Sequence, residues 1–270
     1  MMLCSKIDKV DLPLFVAAVG AGTWVAEEKY DGDRMQLNNL TGKPILITRG
    51  KSGDVTYRYP EVDSFKCDHK VVLDGEMCVL DENGLSQFNE GIAFRTHCQN
   101  PEKIQAGTIN YPVTFVVFDI LELDGKDLRD KPWDQRRLIL ESLKLEQDNL
   151  VVTEYSWDII DLWQDVTSRG GEGIILKKID APYLTDKRSS LWKKVKDIKE
   201  VDIRVTAYQP NPKGIRVETD EGIACQVSGY NAPPLQKALD ENGECMITIR
   251  HLGWTGKKFR QPTYAKVVVR

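Results

Sequence analysis

The sequence predicts an α+β protein in which a mixed α and β domain is followed by a small β-barrel. Its 270 residues exceed the usual size of one domain and favour one large domain plus one small one. Up to Lys199, runs of β-branched residues alternate with amphipathic segments, and after it short apolar runs are broken by Pro and Gly. We therefore predict a first domain over residues 1–199 and an OB-fold domain over residues 200–270.

Residue patterns define the elements of the first domain in order. The apolar run Leu12–Val19 predicts a short helix that faces the core. Runs rich in β-branched residues predict four strands, at Ile45–Thr48, Val71–Leu73, Val113–Ile120 and Gly173–Leu176. Apolar residues at helical spacing predict two helices, at Trp133–Leu145 and Trp157–Ser168. On the first of these two helices we expect Arg136 and Arg137 to be solvated.

The elements of the second domain are predicted from short apolar runs. These runs predict strands at Val201–Tyr208, Gly222–Val227 and Cys245–Ile249. One helix is expected near Pro234–Leu239. Several short strands and one helix within such a short segment are typical of an OB-fold.

Composition restricts the compartment and the class of protein. The six cysteines form no CxxC pair, which argues against a disulfide framework or a zinc ribbon and favours a reducing, cytoplasmic location. The histidines near Cys67 and Cys98 lack the spacing of zinc ligands. No apolar segment has the length needed to cross a bilayer, so we expect neither membrane insertion nor secretion. No protein partner is evident, and we expect a monomer.

Positive charge is concentrated near the end of the chain, although the formal net charge is −4. From Arg250 onward no acidic residue occurs, and the basic residues are Arg250, Lys257, Lys258, Arg260, Lys266 and Arg270. A local basic face can bind nucleic-acid phosphates even when the whole protein is acidic. A solvated lysine face is the alternative explanation.

The most informative local segment is Lys29-Tyr30-Asp31-Gly32-Asp33-Arg34, which follows a short apolar run and turns at Gly32. A lysine attacks phosphorus only when neighbouring cations or burial favour its neutral form, and Arg34 supplies one nearby cation. Lys29 is therefore a candidate nucleophile. The alternative is a surface turn with mixed charges.

Two carboxylates lie at the ends of predicted strands. Glu76 follows the strand that contains Leu73, and Glu172 precedes Gly173. Mg²⁺ prefers oxygen ligands and usually takes one or two carboxylates together with water and phosphate oxygens. Each acid could instead be an ordinary strand-end carboxylate.

Lys194 and Lys196 alternate along one predicted strand and therefore project from the same face. Two neighbouring ammonium groups repel each other unless an anion lies between them, and a triphosphate is a suitable anion. A strand edge protected by lysines is the competing explanation.

Six segments, KYDGDR, TRGKSG, LDGEM, FVVFDIL, EGIILKK and LWKKVK, resemble the nucleotidyltransferase motifs of ATP-dependent DNA ligases in order and approximate spacing. The resemblance spans most of the chain. It implies an ATP-grasp-like nucleotidyltransferase domain with mixed sheets, followed by an OB-fold. Because Lys29 lies close to the first residue, the chain resembles the minimal viral or bacterial type.

The resemblance also implies roles for individual residues. Lys29 would carry AMP, and Glu172 would be the principal carboxylate of a magnesium site. The other implied contacts are adenine for Glu27 and Phe118, ribose or metal for Glu76, the 5′-phosphate end or nucleotide phosphates for Arg34, the α-phosphate for Lys194 and Lys196, and the cofactor for Arg49.

The implied activity is sealing of nicked duplex DNA with ATP and Mg²⁺ in DNA replication, repair or recombination. Candidate DNA contacts are Arg34, Lys257, Lys258, Arg260 and Arg270, and Arg270 also matches the first residue of the family's last motif. RNA ligases and GTP-dependent mRNA capping enzymes share the KxDG core and are the alternatives. A nucleic-acid binder with a decayed transferase domain is a further alternative, which the intact Lys29, Glu172 and Lys196 disfavour.

Overall fold

The structure is a computed structural model that describes residues 1–49, 53–145, 147–219, 222, 224–254 and 258–268. It divides the chain into two compact units, Met1–Val195 and Lys196–Arg270. Helices and strands are mixed in both units, so the predicted α+β class is confirmed. Within the described residues, no helix has the length and apolar character required to span a membrane.

The described residues of the first unit form eleven strands and five α-helices. The strands are β1 Leu3–Lys6, β2 Trp24–Glu28, β3 Asp33–Asn38, β4 Ile45–Thr48, β5 Val71–Cys78, β6 Thr114–Leu123, β7 Lys126–Asp127, β8 Leu150–Val152, β9 Tyr155–Ser156, β10 Gly173–Lys178 and β11 Arg188–Lys196. The helices are α1 Leu12–Val19, α2 Ala93–His97, α3 Pro101–Asn110, α4 Trp133–Ser142 and α5 Ile159–Ser168.

These strands form two sheets. One has the order β1-β11-β10-β2-β9, and the other has the order β4-β3-β5-β6-β7 with β8 paired to β6. Apolar side chains of the second sheet, such as Leu37, Leu73 and Val117, form the largest buried cluster. A separate cluster lies between the first sheet and helices α1 and α5 and includes Leu12, Ala26 and Val166. The packing of side chains on both sheets thereby fixes the strand ends that carry the candidate catalytic residues.

Helix α1 has the predicted bounds, but the prediction that it faces the core is only partly correct. Leu12 is buried, whereas Leu14 is 73% exposed. Every residue of this segment is apolar, so the sequence contains no polar face that would identify its solvent side. The burial of each residue was therefore decided by the neighbouring strands and helices.

The prediction that Arg136 and Arg137 are solvated is wrong. Arg136 is fully buried, and its Nε lies 2.8 Å from Asp119 Oδ1. Arg137 is 8% exposed and donates from Nη1 to the carbonyl of Thr153 at 2.6 Å. Helix α4 packs against β6, which presents the buried Asp119 to the arginine. A buried guanidinium is tolerated because carboxylate and carbonyl oxygens accept its hydrogen bonds.

The described residues of the second unit form one six-stranded sheet and one α-helix. Its elements are β12 Lys199–Val205, β13 Ala207–Asn211, β14 Gly214–Glu218, β15 Ala224–Ser228, α6 Ala232–Asn242, β16 Cys245–His251 and β17 Thr263–Val267. The sheet order is β12-β16-β17-β15-β14-β13. Alternating residues of these strands, including Val205, Val217 and Ile249, pack with Leu235 of α6 in a separate core. The predicted helix Pro234–Leu239 is confirmed and is longer at both ends.

Candidate active site

Strand pairing brings Lys29 next to Glu172, although the two residues are 143 positions apart. Strands β2 and β10 are antiparallel, with Glu28 opposite Ile174, so the end of β2 meets the start of β10. The amide of Lys29 donates to the carbonyl of Gly173 at 2.9 Å. The Lys29 Nζ lies 2.6 Å from Glu172 Oε2, and the two side chains are 20% and 2% exposed. The candidate nucleophile is therefore held by a buried carboxylate at one side of a turn.

The turn after Lys29 packs closely against β5. An added Cβ at Gly32 would lie 2.8 Å from Cys78 Sγ and 2.9 Å from Glu76 Cγ, so only glycine fits without displacement. The amide of Gly32 donates to Glu76 Oε1 at 3.3 Å. The glycine of the KYDG segment thus allows Glu76 to approach the backbone beside Lys29.

Glu76 and Glu172 form an acidic pair around Lys29. The pKa of Glu76 is raised to about 7, mainly by burial; the charges of Lys29 and Arg34 lower it, and the negative charge of Glu172 adds to the increase. Two carboxylates that repel each other in a poorly solvated site form a suitable donor set for a divalent cation. Within the described residues, no group of three or more His, Cys, Asp or Glu side chains is arranged to hold a metal ion. Magnesium at this pair therefore requires further oxygen ligands from a nucleotide or water.

Glu76→Gln is expected to stabilise the protein at alkaline pH in magnesium-free buffer. An acid whose pKa is raised by folding contributes stability below its unfolded pKa, near 4.5, and loses it as the pH rises through about 7. The free energy of unfolding of the wild type should therefore fall relative to Glu76→Gln by about 2 kcal/mol between about pH 5 and pH 8. Denaturant titrations at both pH values measure the difference.

Glu82→Gln is the matched control, because Glu82 is exposed. It should show no such pH dependence. A constant difference between the wild type and Glu76→Gln across this range would contradict the raised pKa of Glu76.

Arg34 is held by protein acceptors on three sides. Its Nε and Nη2 donate to the two oxygens of the fully buried Asp74 at 3.1 and 2.7 Å. Its Nη1 donates to the carbonyl of Met2 at 2.6 Å. The guanidinium also lies 5.1 Å from the centre of the Phe118 ring. These bonds, together with one from Nη2 to the Tyr183 hydroxyl at 3.3 Å, direct most of the five N–H groups of Arg34 toward protein acceptors and restrict its contacts to a phosphate.

Glu27 and Lys177 form a second buried ion pair. Glu27 Oε2 lies 2.7 Å from Lys177 Nζ, and these side chains are 3% and 1% exposed. Burial raises the pKa of Glu27, and the Lys177 ammonium opposes that shift. The register of β2 and β10 explains the pair, since Glu27 is opposite Ile175 and Lys177 is two residues further along β10.

One cavity of about 230 Å³ in the first unit connects these groups. It is lined by residues from both sheets. Seven of the residues that the sequence predicted as site residues line this cavity: Glu27, Lys29, Arg34, Arg49, Glu76, Phe118 and Lys194. Glu172 reaches the same place through its ion pair with Lys29. Lys196 is the last residue of β11 and the first of the second unit.

The predicted DNA contacts, apart from Arg34, fall in the second unit. Lys258 is exposed, and Arg260 is partly buried. The backbone of Arg260 pairs with that of Gly253 and Leu252, which fixes the start of the segment that leads to β17. Lys257 and Arg270 lie outside the described residues.

Several residues that line the cavity were missed by sequence reasoning. They are Leu3, Cys4, Glu28, Tyr30, Thr153, Ile175, Lys177, Arg188 and Trp192. The sequence could have indicated Lys177 as a site residue. It lies two positions after Ile175 and therefore on the same face of the strand that begins beside Glu172. Cys4 and Thr153 had none, because their positions in the cavity result from pairing between distant strands.

The arrangement suits nucleophilic attack by an amine on an anionic substrate. Lys29 presents an amine, and Glu172 and Glu76 present carboxylates of the kind that can hold a metal ion. Arg49 and Lys194 add positive charge at the cavity wall. Phe118 presents an aromatic ring in the same cavity. A nucleotide has the matching parts, namely a flat base and charged phosphates.

Comparison with known proteins identifies relatives of this chain. A family model described as "ATP dependent DNA ligase domain" matches residues 1–196. A probable DNA ligase of Streptomyces avermitilis is 34% identical over 201 residues, which are 71% of this chain and 39% of that protein. A DNA ligase of Methanocorpusculum labreanum is 32% identical over 232 residues, or 83% of this chain and 39% of that protein. The chain thus spans about two fifths of the length of these relatives.

Solved structures share the fold. The ligase domain of LigD from M. tuberculosis matches with a TM-score of 0.61 and 24% identity, covering 99% of this chain and 94% of that one. A structure from a study of Lig E DNA ligases matches with a TM-score of 0.69 and 18% identity, covering 99% and 98%. At these identities the structural likeness supports the fold alone.

Proposed function

Because this chain belongs to the family of ATP-dependent DNA ligases, we propose that it seals nicks in duplex DNA and that Lys29 is the residue that carries AMP. One observation carries the assignment of the site. The Lys29 ammonium lies 2.6 Å from the buried Glu172 carboxylate, at the wall of a cavity that also contains Glu76, Phe118 and Lys194. An amine, two acids, an aromatic ring and a cation thus surround one volume, which supports the proposal.

The proposed reaction has three phosphoryl transfers. In the first, the neutral Lys29 Nζ attacks the α-phosphorus of ATP, the N–P bond forms, and the bond to pyrophosphate breaks. In the second, a 5′-phosphate oxygen of the nick attacks the lysyl-AMP, and Lys29 is released. In the third, the adjacent 3′-hydroxyl attacks the adenylated 5′-phosphate, and AMP leaves.

The residues of the site contribute mainly position and charge. Glu172 Oε2 accepts a hydrogen bond from the Lys29 ammonium in the resting state and thereby orients Nζ. Arg49 and Lys194 counter the negative charge that develops on the phosphates. Phe118 and Glu27, which line the same cavity, receive the base. Holding the α-phosphate in line with Lys29 supplies a large part of the acceleration.

Glu76 and Glu172 are the residues that would hold magnesium. When bound, the ion neutralises charge on the nucleotide phosphates. The fit rests on the acidic pair, since burial raises the pKa of Glu76 to about 7 and a cation relieves the repulsion from Glu172. Glu76 lies on β5 and Glu172 directly precedes β10, so the two acids that would hold the ion come from segments that are distant in sequence.

We propose that the second unit is an OB-fold that binds DNA. Support comes from its single six-stranded sheet and from helix α6, which lies between β15 and β16 in the chain. The acid-free segment from Arg250 to Arg270 supplies charge for phosphate contacts. The six free cysteines support a reducing, cytoplasmic location. The presence of all proposed catalytic residues in one chain supports a monomer.

DNA binding is expected to weaken steeply with salt, and neutralising Lys257, Lys258 and Arg260 together should flatten that dependence. Each phosphate contact contributes about 0.9 to the slope of log K against log salt concentration, so the triple variant should lose about two to three from the slope. Fluorescence anisotropy with nicked duplex DNA at several salt concentrations measures this slope.

A second triple variant, with Arg204, Arg216 and Lys237 neutralised, is the matched control. It removes the same charge from side chains that pair with acids at exposed positions of the second unit. Its slope should remain close to that of the wild type. Equal slopes in the wild type and the first triple variant would place the DNA on another surface.

The proposed function is tested by incubating the protein with labelled ATP or labelled GTP and magnesium, followed by nicked DNA or nicked RNA. We expect covalent label from ATP that is resistant to denaturation and is released when nicked DNA is sealed. Label from GTP would indicate a capping-type guanylyltransferase, and preferential sealing of RNA would indicate an RNA ligase. A protein that binds DNA and takes label from neither nucleotide would refute the enzymatic proposal.

A further inference from the structure

Lys177 occupies an unusual environment for a lysine. Its side chain is 1% exposed, yet it makes several polar and aromatic contacts. The Nζ lies 2.7 Å from Glu27 Oε2 and donates to the carbonyl of Phe118 at 2.9 Å. It also lies 4.9 Å from the centre of the Phe118 ring and 4.4 Å from that of Trp192. Burial of an ammonium is costly, and these contacts offset that cost only while all four groups stay in place.

The contacts of Lys177 leave one oxygen of Glu27 available. Glu27 lines the cavity, and its Oε1 is buried and accepts no hydrogen bond from the residues that the structure describes. A buried carboxylate oxygen without a donor is energetically unfavourable, so the site favours a ligand that brings one. Phe118 lines the same cavity, which provides an aromatic surface for a flat heterocycle beside this oxygen.

We propose that Lys177 is a positioning residue for nucleotide selection: it fixes Glu27 Oε2 and the Phe118 backbone so that Glu27 Oε1 faces the bound base and selects purines with a 6-amino group. The inference rests on the proposed function. A 6-amino group donates a hydrogen bond to a carboxylate, whereas a 6-oxo group presents a second acceptor and repels it. Lys177 lines the cavity, and its proposed effect on the base is exerted through these two residues and not through phosphoryl transfer.

The geometry explains why a lysine is needed at this position. An apolar side chain of the same length could fill the space between Phe118 and Trp192. It would leave both Glu27 oxygens without a fixed donor, so the carboxylate could rotate. The preference for a 6-amino purine would then fall even if the cavity kept its shape.

The test compares ATP with ITP, which carries a 6-oxo group in place of the 6-amino group, on the wild type and on Lys177→Met. Covalent labelling and calorimetric binding are measured for each nucleotide. We expect the wild type to prefer ATP, and we expect Lys177→Met to reduce this preference by about tenfold or more. The double variant Glu27→Gln, Lys177→Met should match Glu27→Gln alone in selectivity, since Lys177 acts through Glu27.

Lys178→Met is the matched control. Lys178 is the next residue on β10, but its side chain is 35% exposed and pairs with Asp180 at 2.9 Å. Its ATP preference should stay within about twofold of the wild type. A folded Lys177→Met that loses affinity equally for ATP and ITP would overturn the proposal, because that result indicates a structural role alone.

Two further outcomes are decisive. If Lys177→Met does not fold, Lys177→Arg and Glu27→Gln replace it, because arginine keeps a cation and glutamine removes the charge of the acceptor. The proposal then requires the arginine variant to retain the ATP preference and the glutamine variant to lose it, and equal preferences refute it. Loss of the ATP binding preference in Lys177→Met, in a protein whose wild type takes no label, would refute the ligase proposal while supporting the role of Lys177.

Discussion

Lys29→Ala is expected to abolish covalent labelling by ATP, with a loss of at least about 10³-fold. The reason is chemical, because alanine has no amine to form the N–P bond. Removal of Lys29 also leaves Glu172, which is 2% exposed, without its ion-pair partner. We therefore expect Lys29→Ala to fold with stability lower by about 3 kcal/mol. Labelling with radioactive ATP and denaturant titration measure the two effects separately.

Lys29→Arg separates the chemical role of Lys29 from its structural role. Arginine retains a cation opposite Glu172 but is a poor nucleophile, so this variant should regain stability and remain unlabelled. Both variants should still seal a nick that is already adenylated, because that step uses only the 3′-hydroxyl. Lys43→Ala, at an exposed turn, is the control and should label normally. Labelled Lys29→Ala would identify another residue as the nucleophile.

Glu172→Ala is expected to reduce labelling and sealing by about 10²-fold or more while changing DNA affinity by less than about threefold. Glu172 has two proposed functions, orientation of Lys29 and binding of magnesium, and both are lost in this variant. DNA phosphates are assigned to other residues, so binding should persist. Single-turnover rates and anisotropy titrations with nicked DNA measure the two quantities.

Glu172→Gln distinguishes the two proposed functions of Glu172. The amide keeps the length of the side chain and can accept a hydrogen bond from Lys29, but it is a weak magnesium ligand. A smaller defect in Glu172→Gln than in Glu172→Ala would assign part of the effect to orientation. Glu154→Ala, at an exposed position, should be silent. Wild-type rates in Glu172→Ala at high magnesium would refute the assignment.

Local sequence located several of the strands and the turn that contains the candidate nucleophile. The predicted strand Ile45–Thr48 has the observed bounds, and β5, β6 and β10 contain most of the residues predicted for them. Lys29 was selected because a turn at Gly32 follows a short apolar run, and this turn is formed by residues adjacent in the chain. Such features depend on the backbone conformation that each residue type prefers and on the spacing of apolar residues. A short segment contains both kinds of information.

The environment of each charged side chain could not be predicted in the same way. Arg137 and Lys177 belong to segments with a helical or strand pattern, yet their 8% and 1% exposures result from packing against distant residues. The free energy that keeps a buried charge depends on which carboxylate or carbonyl faces it. That partner is set by strand register and by helix packing, and neither is encoded within one segment.

The sequence by itself identified a candidate lysine nucleophile in a KYDG turn, two candidate metal-site acids and the ordered motifs of its family. The tertiary structure decided how these parts act on one another. The antiparallel register of β2 and β10 sets Lys29 against Glu172 across 143 positions and sets Glu27 against Lys177. A pair of strands slipped by one residue would turn these side chains to opposite faces, because the side-chain period of a strand is two. The candidate residues can therefore be recognised within one segment, whereas the partner of each charged side chain depends on the register of strands that are distant in sequence.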